Sequence, residues 1–202
     1  FFFFFSLREG QRLLKDGCHW VVDVDFKSFF DTINHDRLMA LIRERVADGR
    51  VQALLEAYLT AEVLDGMHQW QPEQGTPQGA VISPLLSNIY LHELDKRMQE
   101  AGFHMIRYAD DFVVLCRTER AANLALEAVQ GFADEYELTV HPTKTRIGDS
   151  RRKNDGFDFL GYHFERGRKW VSRKKLPAIR ARLRPHLKRT NGHSLDTIIT
   201  RI

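Results

Sequence analysis

Apolar and polar positions change rhythm along this chain, and each change marks an element. Residues 7–15 carry apolar side chains at helical spacing and stop near Gly17, which predicts a short helix. Trp20-Val-Val-Asp-Val-Asp25 alternates in its second half and predicts a strand whose end carries carboxylates. Leu38, Leu41, Ile42 and Arg45 return to helical spacing within residues 35–46, with Asn34 as cap. Residues 50–61 predict a second helix, and residues 66–77, rich in Gln, Gly and Pro, a loop. Ser83-Pro84 opens a long helix, with Ser83 as cap and Pro84 in the first turn; Gly102 stops it. Two apolar runs, 103–108 and 112–117, flank Ala109-Asp110-Asp111, which reads as a tight hairpin turn. An amphipathic helix is expected at 119–136 and short strands at 145–148, 157–160, 162–165 and 169–171. A basic helix interrupted at Pro177 and Pro185 follows over 174–188, and a further one begins at Ser194. The five phenylalanines at 1–5 are set aside. Strands and helices mixed around an antiparallel hairpin predict an α+β fold with helices packed on one face of a sheet.

Composition fits that reading. With 202 residues, 43% hydrophobic and 28% charged, the chain is long enough for one large domain, or one and a small second. No apolar run approaches a membrane span, the richest, 81–91, being broken by Pro84, and no membrane partner is expected. The N-terminus lacks the basic region and cleavage site of a signal peptide. Cys18 and Cys116 stand far apart, so neither a disulfide framework nor a zinc cluster is indicated; buried thiols in a reducing cytoplasm are expected. The net charge of +3 conceals an asymmetry: residues 144–189 carry 16 Lys+Arg against 4 Asp+Glu, whereas residues 1–143 are acidic by nine charges. A basic segment after an acidic body suggests a polyanion gripped at one end.

The candidate chemistry lies in the carboxylates. Phosphoryl transfer with two divalent cations needs acidic side chains crowded on a rigid support, because hard cations want oxygen ligands. Asp25 ends a strand, and Asp110 and Asp111 occupy a hairpin turn. By itself an Asp-Asp pair is more often a turn former. Its surroundings change the reading. Arg107-Tyr-Ala-Asp-Asp-Phe-Val-Val-Leu115 resembles the Tyr-x-Asp-Asp box of reverse transcriptases. Asp23-Val-Asp-Phe-Lys-Ser-Phe-Phe-Asp-Thr-Ile-Asn-His35 resembles their first carboxylate motif, and Gly75-Thr-Pro-Gln-Gly-Ala-Val-Ile-Ser-Pro-Leu-Leu-Ser-Asn-Ile-Tyr-Leu91 the stretch between, with Ala80 where glycine is frequent. His141-Pro-Thr-Lys-Thr145 and Phe157-Asp-Phe-Leu-Gly-Tyr162 resemble the lysine and primer-grip motifs. All come in family order over residues 20–165, and the wording is that of the group II intron and related bacterial branch rather than of retroviruses.

The resemblance implies a polymerase palm, with an antiparallel sheet and packed helices, over residues 20–165. It implies a remnant of the fingers or leader at 1–19, with the fingers largely absent, and the truncated start of a helical thumb at 166–202. It implies an RNA-directed DNA polymerase that extends a primer on an RNA template. Asp25, Asp110 and Asp111 are then metal ligands, with Asp23 the competing choice in the first motif and the Phe26 carbonyl a further ligand. Two Mg²⁺ ions are the implied cofactors, with Mn²⁺ as a substitute. Phe29 is expected under the sugar of the incoming nucleotide, excluding a 2′-hydroxyl, and Gln78 and Gly79 along the nucleotide pocket. Lys144 is expected to protonate or neutralise the leaving pyrophosphate, and Phe159, Leu160 and Gly161 to hold the primer end. No catalytic role is assigned to Asp31, Asn34 or His35; Asp31 is expected to organise the turn. Arg166, Arg168, Lys169, Arg173, Lys174, Lys175, Arg180, Arg182 and Arg184 are candidates for phosphate contacts.

The implied partners are an RNA template, a DNA or RNA primer and dNTPs, with intron RNA a further candidate. The expected compartment is a bacterial-type cytoplasm. Two alternatives share these residues: a maturase-type cofactor that binds intron RNA for splicing, and a reverse transcriptase serving defence or CRISPR spacer acquisition.

Overall fold

The structure, a computed structural model, describes residues 2–61, 63–65, 68–70, 74–76 and 81–184. The chain divides into two units, Phe1–Asp149 and Ser150–Ile202. The first unit runs α1 (Phe2–Lys15), β1 (Trp20–Val24), α2 (Phe29–Thr32), α3 (His35–Arg43), α4 (Gly49–Leu59), β2 (Val63–Asp65), β3 (His68–Trp70), α5 (Ser83–Glu100), β4 (His104–Tyr108), β5 (Asp111–Cys116), α6 (Glu119–Glu135) and β6 (Arg146–Asp149). Its main sheet has the order β4-β5-β1-β6, antiparallel throughout.

Alternation along β1 and β5 assigns the two faces of this sheet. Val22, Val24, Phe112, Val114 and Cys116 point to one side and join a core with Leu38 and Ile42 of α3, Leu86, Tyr90, Leu91 and Leu94 of α5, and Ala125, Val129 and Phe132 of α6. Truncating a fully buried phenylalanine such as Phe112 costs about 3–5 kcal/mol in such a core. The opposite face, Val21, Val113, Leu115 and Ile106, is also buried. It is covered by α1, whose Leu7 and Leu13 are buried and whose Gly10 passes so close that a Cβ there would lie 3.5 Å from Ile106 Cδ1. Helices therefore pack on both faces, not on one. The phenylalanines at 2–5, set aside in the sequence, are the first turns of α1.

Local signals account for most helix ends. The Asn34 side chain accepts from Arg37 N–H at the start of α3, and Thr118 accepts from Ala121 N–H at the start of α6. Ser83 is not a cap: Ile82 takes that position without a side-chain bond, and Ser83 is a buried first-turn residue beside Pro84. Within the expected loop at 66–77 the chain forms β3, paired with β2. No helix among the described residues is long and apolar enough to cross a membrane.

The second unit is a three-stranded antiparallel sheet, β7 (Phe157–Phe159), β8 (Tyr162–Glu165) and β9 (Arg168–Val171), followed by α7 (Leu176–Leu183). Phe157 and Phe164 stack at its centre, ring centroids 5.0 Å apart. Pro177 lies in the first turn of α7 and does not interrupt it. The expected break at Pro185 and the helix from Ser194 fall outside the described residues.

Candidate active site

One end of the main sheet gathers four polar side chains. The β1–β5 register ends on Val24 paired with Phe112, so Asp25 and Asp111 are the next residues of the two chain segments at this end. The β4–β5 register pairs Asp111 with Tyr108. The β1–β6 register, Asp23 with Arg146, continues to bring Lys144 beside Asp25. Tyr108 and Asp111, a direct pair, point the same way, and Asp25 and Lys144 meet each other at the same end of the sheet. Lys144 Nζ is 2.9 Å from Asp25 Oδ2. In the row behind, Arg146 Nε is 3.9 Å from Asp23 Oδ2, so Asp23 is one row further from the hairpin turn than Asp25.

The backbone beside Asp25 is equally ordered. His141 N–H donates to Asp25 O and Lys27 N–H to Thr139 O, flanking a bridge between Phe26 and Val140. In an antiparallel pair these are the bonds of the neighbours, so the Phe26 carbonyl points away from that strand.

The turn between β4 and β5 consists of Ala109 and Asp110, with Asp111 already the first residue of β5. Ala109 has φ 56°, a left-handed conformation that a non-glycine residue adopts at a cost of order 1–2 kcal/mol. The Arg107 side chain supports it. Its Nη1 donates to Ala109 O and to Asn88 Oδ1, both at 2.8 Å; its Nε donates to Asp95 Oδ1 at 2.8 Å, and its Nη2 to Asp95 Oδ2. Sequence reading missed this clamp. Its trace was a lone arginine inside an apolar strand and two polar residues, Asn88 and Asp95, seven apart on α5.

The expected sugar contact at Phe29 needs correction. Phe29 is 2% exposed and packs against Phe26 in the hydrophobic core, so its ring cannot meet a nucleotide. Phe30, edge-on to it at 5.3 Å, is the partly exposed ring of the pair. The segment at 74–76 docks on this same turn. Thr76 N–H donates to Phe30 O at 2.6 Å, Gly75 N–H donates to Ile33 O at 2.7 Å, and His35 Nε2 is 2.6 Å from Gly75 O. His35, given no role from sequence, is a strut of this segment. Gln78 and Gly79 lie outside the described residues.

In the second unit the expected primer-grip residues divide. Phe159 is 2% exposed and belongs to the core of the sheet, because β7 alternates and buries both its phenylalanines. Leu160 and Gly161, with φ 50° and 80°, form the two-residue β7–β8 turn and are partly exposed. Asp158 ties the strands together: His163 Nδ1 is 2.7 Å from its Oδ1, and Ser172 Oγ donates to its Oδ2 at 2.9 Å. Burial pushes the Asp158 carboxyl up, but the bonds from His163 and Ser172, with the charges of His163 and Lys174, hold it below its usual value. The nine basic residues from Arg166 to Arg184 named from sequence are all exposed.

As a donor set, Asp25, Asp110, Asp111 and the Phe26 carbonyl suit a hard divalent cation, being all oxygen. Lys144 is already a cation against Asp25. Among the described residues, however, no three acidic, His or Cys side chains converge on one point. Asp25 directs Oδ2 to Lys144, so a cation shared with Asp110 or Asp111 would meet Asp25 through its other oxygen or displace the lysine.

A family model described as reverse transcriptase (RNA-dependent DNA polymerase) matches residues 3–164. Protein YkfC of Escherichia coli (strain K12) is 32% identical over 184 residues, covering 74% of this chain and 48% of that protein. The group II intron-encoded protein LtrA of Lactococcus lactis subsp. cremoris is 44% identical over 80 residues, 40% of this chain and 13% of LtrA. The chain thus spans less than half the length of either relative. Among solved structures, telomerase from Candida albicans, in complex with a fragment of telomeric RNA, superposes with a TM-score of 0.65 over 96% of this chain and 39% of that one. At 13% identity that likeness concerns the fold.

Proposed function

Because the chain belongs to the reverse transcriptase family, in its group II intron-type branch, we propose that it is the palm of an RNA-directed DNA polymerase extending a primer on an RNA template with dNTPs. The observation that carries this reading is that Asp111 and the Asp25–Lys144 pair stand at one end of the same sheet, beside the turn that bears Asp110.

Asp25, Asp110, Asp111 and the Phe26 carbonyl would hold the divalent cations, Mg²⁺ or Mn²⁺. When bound, those ions activate the primer 3′-hydroxyl and neutralise the departing pyrophosphate. In the reaction the 3′-oxygen bonds to the α-phosphorus as the bond to pyrophosphate breaks. Lys144, released from Asp25, supplies charge or a proton to that leaving group. Phe30 takes the role first expected of Phe29: its partly exposed ring limits space at the sugar 2′-position. Gln78 and Gly79 line the nucleotide pocket. Leu160 and Gly161 present backbone to the primer end, and the exposed basic residues of the second unit bind duplex phosphates without regard to sequence.

The test is primer extension on an oligonucleotide-primed RNA template with Mg²⁺ and dNTPs. Asp110→Asn and Asp111→Asn are expected to abolish extension and to leave duplex binding intact. Equal extension by parent and variants overturns the assignment. Binding of structured intron RNA with no extension by any form would favour the splicing-cofactor alternative.

A further inference from the structure

We propose that Arg107 is the positioning residue of the catalytic hairpin, locking the Ala109–Asp110 turn to helix α5 and so setting where Asp110 and Asp111 stand relative to Asp25. The inference rests on the reading of those aspartates as the catalytic carboxylates.

Four bonds from one guanidinium carry it. Arg107 lies on the α5 side of β4, since it pairs with Phe112, a residue of the core shared with α5. Asp111 lies on the opposite face, with Tyr108. Arg107 therefore touches none of the expected reacting groups and acts through the backbone. Two of its bonds go to the two oxygens of Asp95, which fixes the plane of the guanidinium, and one goes to Asn88, two helical turns earlier on α5. The fourth goes to the carbonyl of Ala109, the residue held at positive φ immediately before Asp110. A two-residue turn with a left-handed first position normally uses glycine there. Here alanine is retained, and the Arg107 bond holds the following peptide in the orientation that aims Asp110.

A lysine cannot replace this arrangement. Its ammonium preserves the charge against Asp95 but lacks the planar fork that spans Asp95, Asn88 and a carbonyl at once. The Arg107 side chain is 12% exposed, so removing it alone leaves Asp95 with only His92, 3.9 Å away, and opens a gap beside α5. Removing both charges together, Arg107→Met with Asp95→Leu, avoids that and keeps helix propensity on α5.

The experiment uses the whole chain, with Mn²⁺ titrated by electron paramagnetic resonance, thermal midpoint, and kcat and KM for dNTP in primer extension. Asp111→Asn is the control for the site. Arg107→Lys and the Arg107→Met, Asp95→Leu double variant are expected to fold, with Mn²⁺ binding weakened and kcat lowered by about tenfold or more while KM changes little, because small misplacement of catalytic groups costs rate steeply. Persisting loss of Mn²⁺ binding in a double variant whose thermal midpoint matches the parent supports positioning over a structural role. Parent-like Mn²⁺ binding and kcat in that variant, with both lost in Asp111→Asn, overturn the inference alone. Mn²⁺ binding unchanged in Asp111→Asn as well overturns the reading of the site, and the inference with it.

Discussion

The ammonium of Lys144 stands 2.9 Å from the carboxylate of Asp25, so the expected leaving-group cation and an expected metal ligand hold each other. Their side chains are 59% and 41% exposed, and a pair so open to water contributes little stability. Its interest is competition, because Lys144 and a divalent ion draw on the same carboxylate charge.

Lys144→Ala is therefore expected to act with opposite signs on two measurements. The extension rate falls about 100-fold with the loss of a positioned acid. The Mg²⁺ concentration needed for half the maximal rate also falls, since a competing cation is gone. A Mg²⁺ requirement that rises in the variant would show that Lys144 does not oppose the metal.

The two phenylalanines of α2 separate core from site. Phe29→Ala opens a cavity and is expected to cost about 3–5 kcal/mol of stability without changing the preference for dNTPs over rNTPs. Phe30→Ala is expected to leave the fold standing and to admit ribonucleotides. Denaturant unfolding and incorporation ratios measure both, and relaxed selectivity in Phe29→Ala alone reverses the assignment.

Gly75 has φ 88°, and a Cβ there would meet the Asp31 backbone at 2.9 Å. Gly75→Ala is expected to destabilise by about 1–3 kcal/mol and to displace the segment at 74–76. Because that segment leads into Gln78 and Gly79, KM for dNTP should rise. His35→Ala, which removes the bond to Gly75 O without a clash, should raise KM with a smaller loss of stability.

Asp158 links stability of the second unit to pH. Its carboxyl is held below its ordinary value in the folded chain by the bonds from His163 and Ser172. The unfolded state therefore takes up a proton first, and the contribution present above that value is lost as pH falls through the lower folded one. Urea midpoints are expected to drop as pH falls below about 4 in the parent and to drop less in Asp158→Asn. Parallel curves would remove Asp158 as the source.

Much of this protein was legible in its residues because short-range physics writes itself into spacing. Alternation revealed β1, an apolar run revealed β5, helical period revealed α3 and α6, Ser83-Pro84 and Gly102 bounded α5, and Asn34 announced its cap. The carboxylates stood out because the stretches around them resemble reverse transcriptase motifs in order; an Asp-Asp pair by itself is more often a turn former. Ser83 was misread because a serine before proline looks like a cap, whereas packing buries it inside the helix.

What the chain alone determined was which elements form and which residue types could do chemistry. Tertiary structure decided which side chains face which way and who meets whom. Phe29 and Phe30 are indistinguishable as letters, and only the packing of α2 against Phe26 sends one ring inward. Arg107 and Asp95 are twelve residues apart, on different elements, and Lys144 lies far along the chain from Asp25. Such pairings depend on strand register and helix docking, which follow from the burial of the whole core and not from any local pattern.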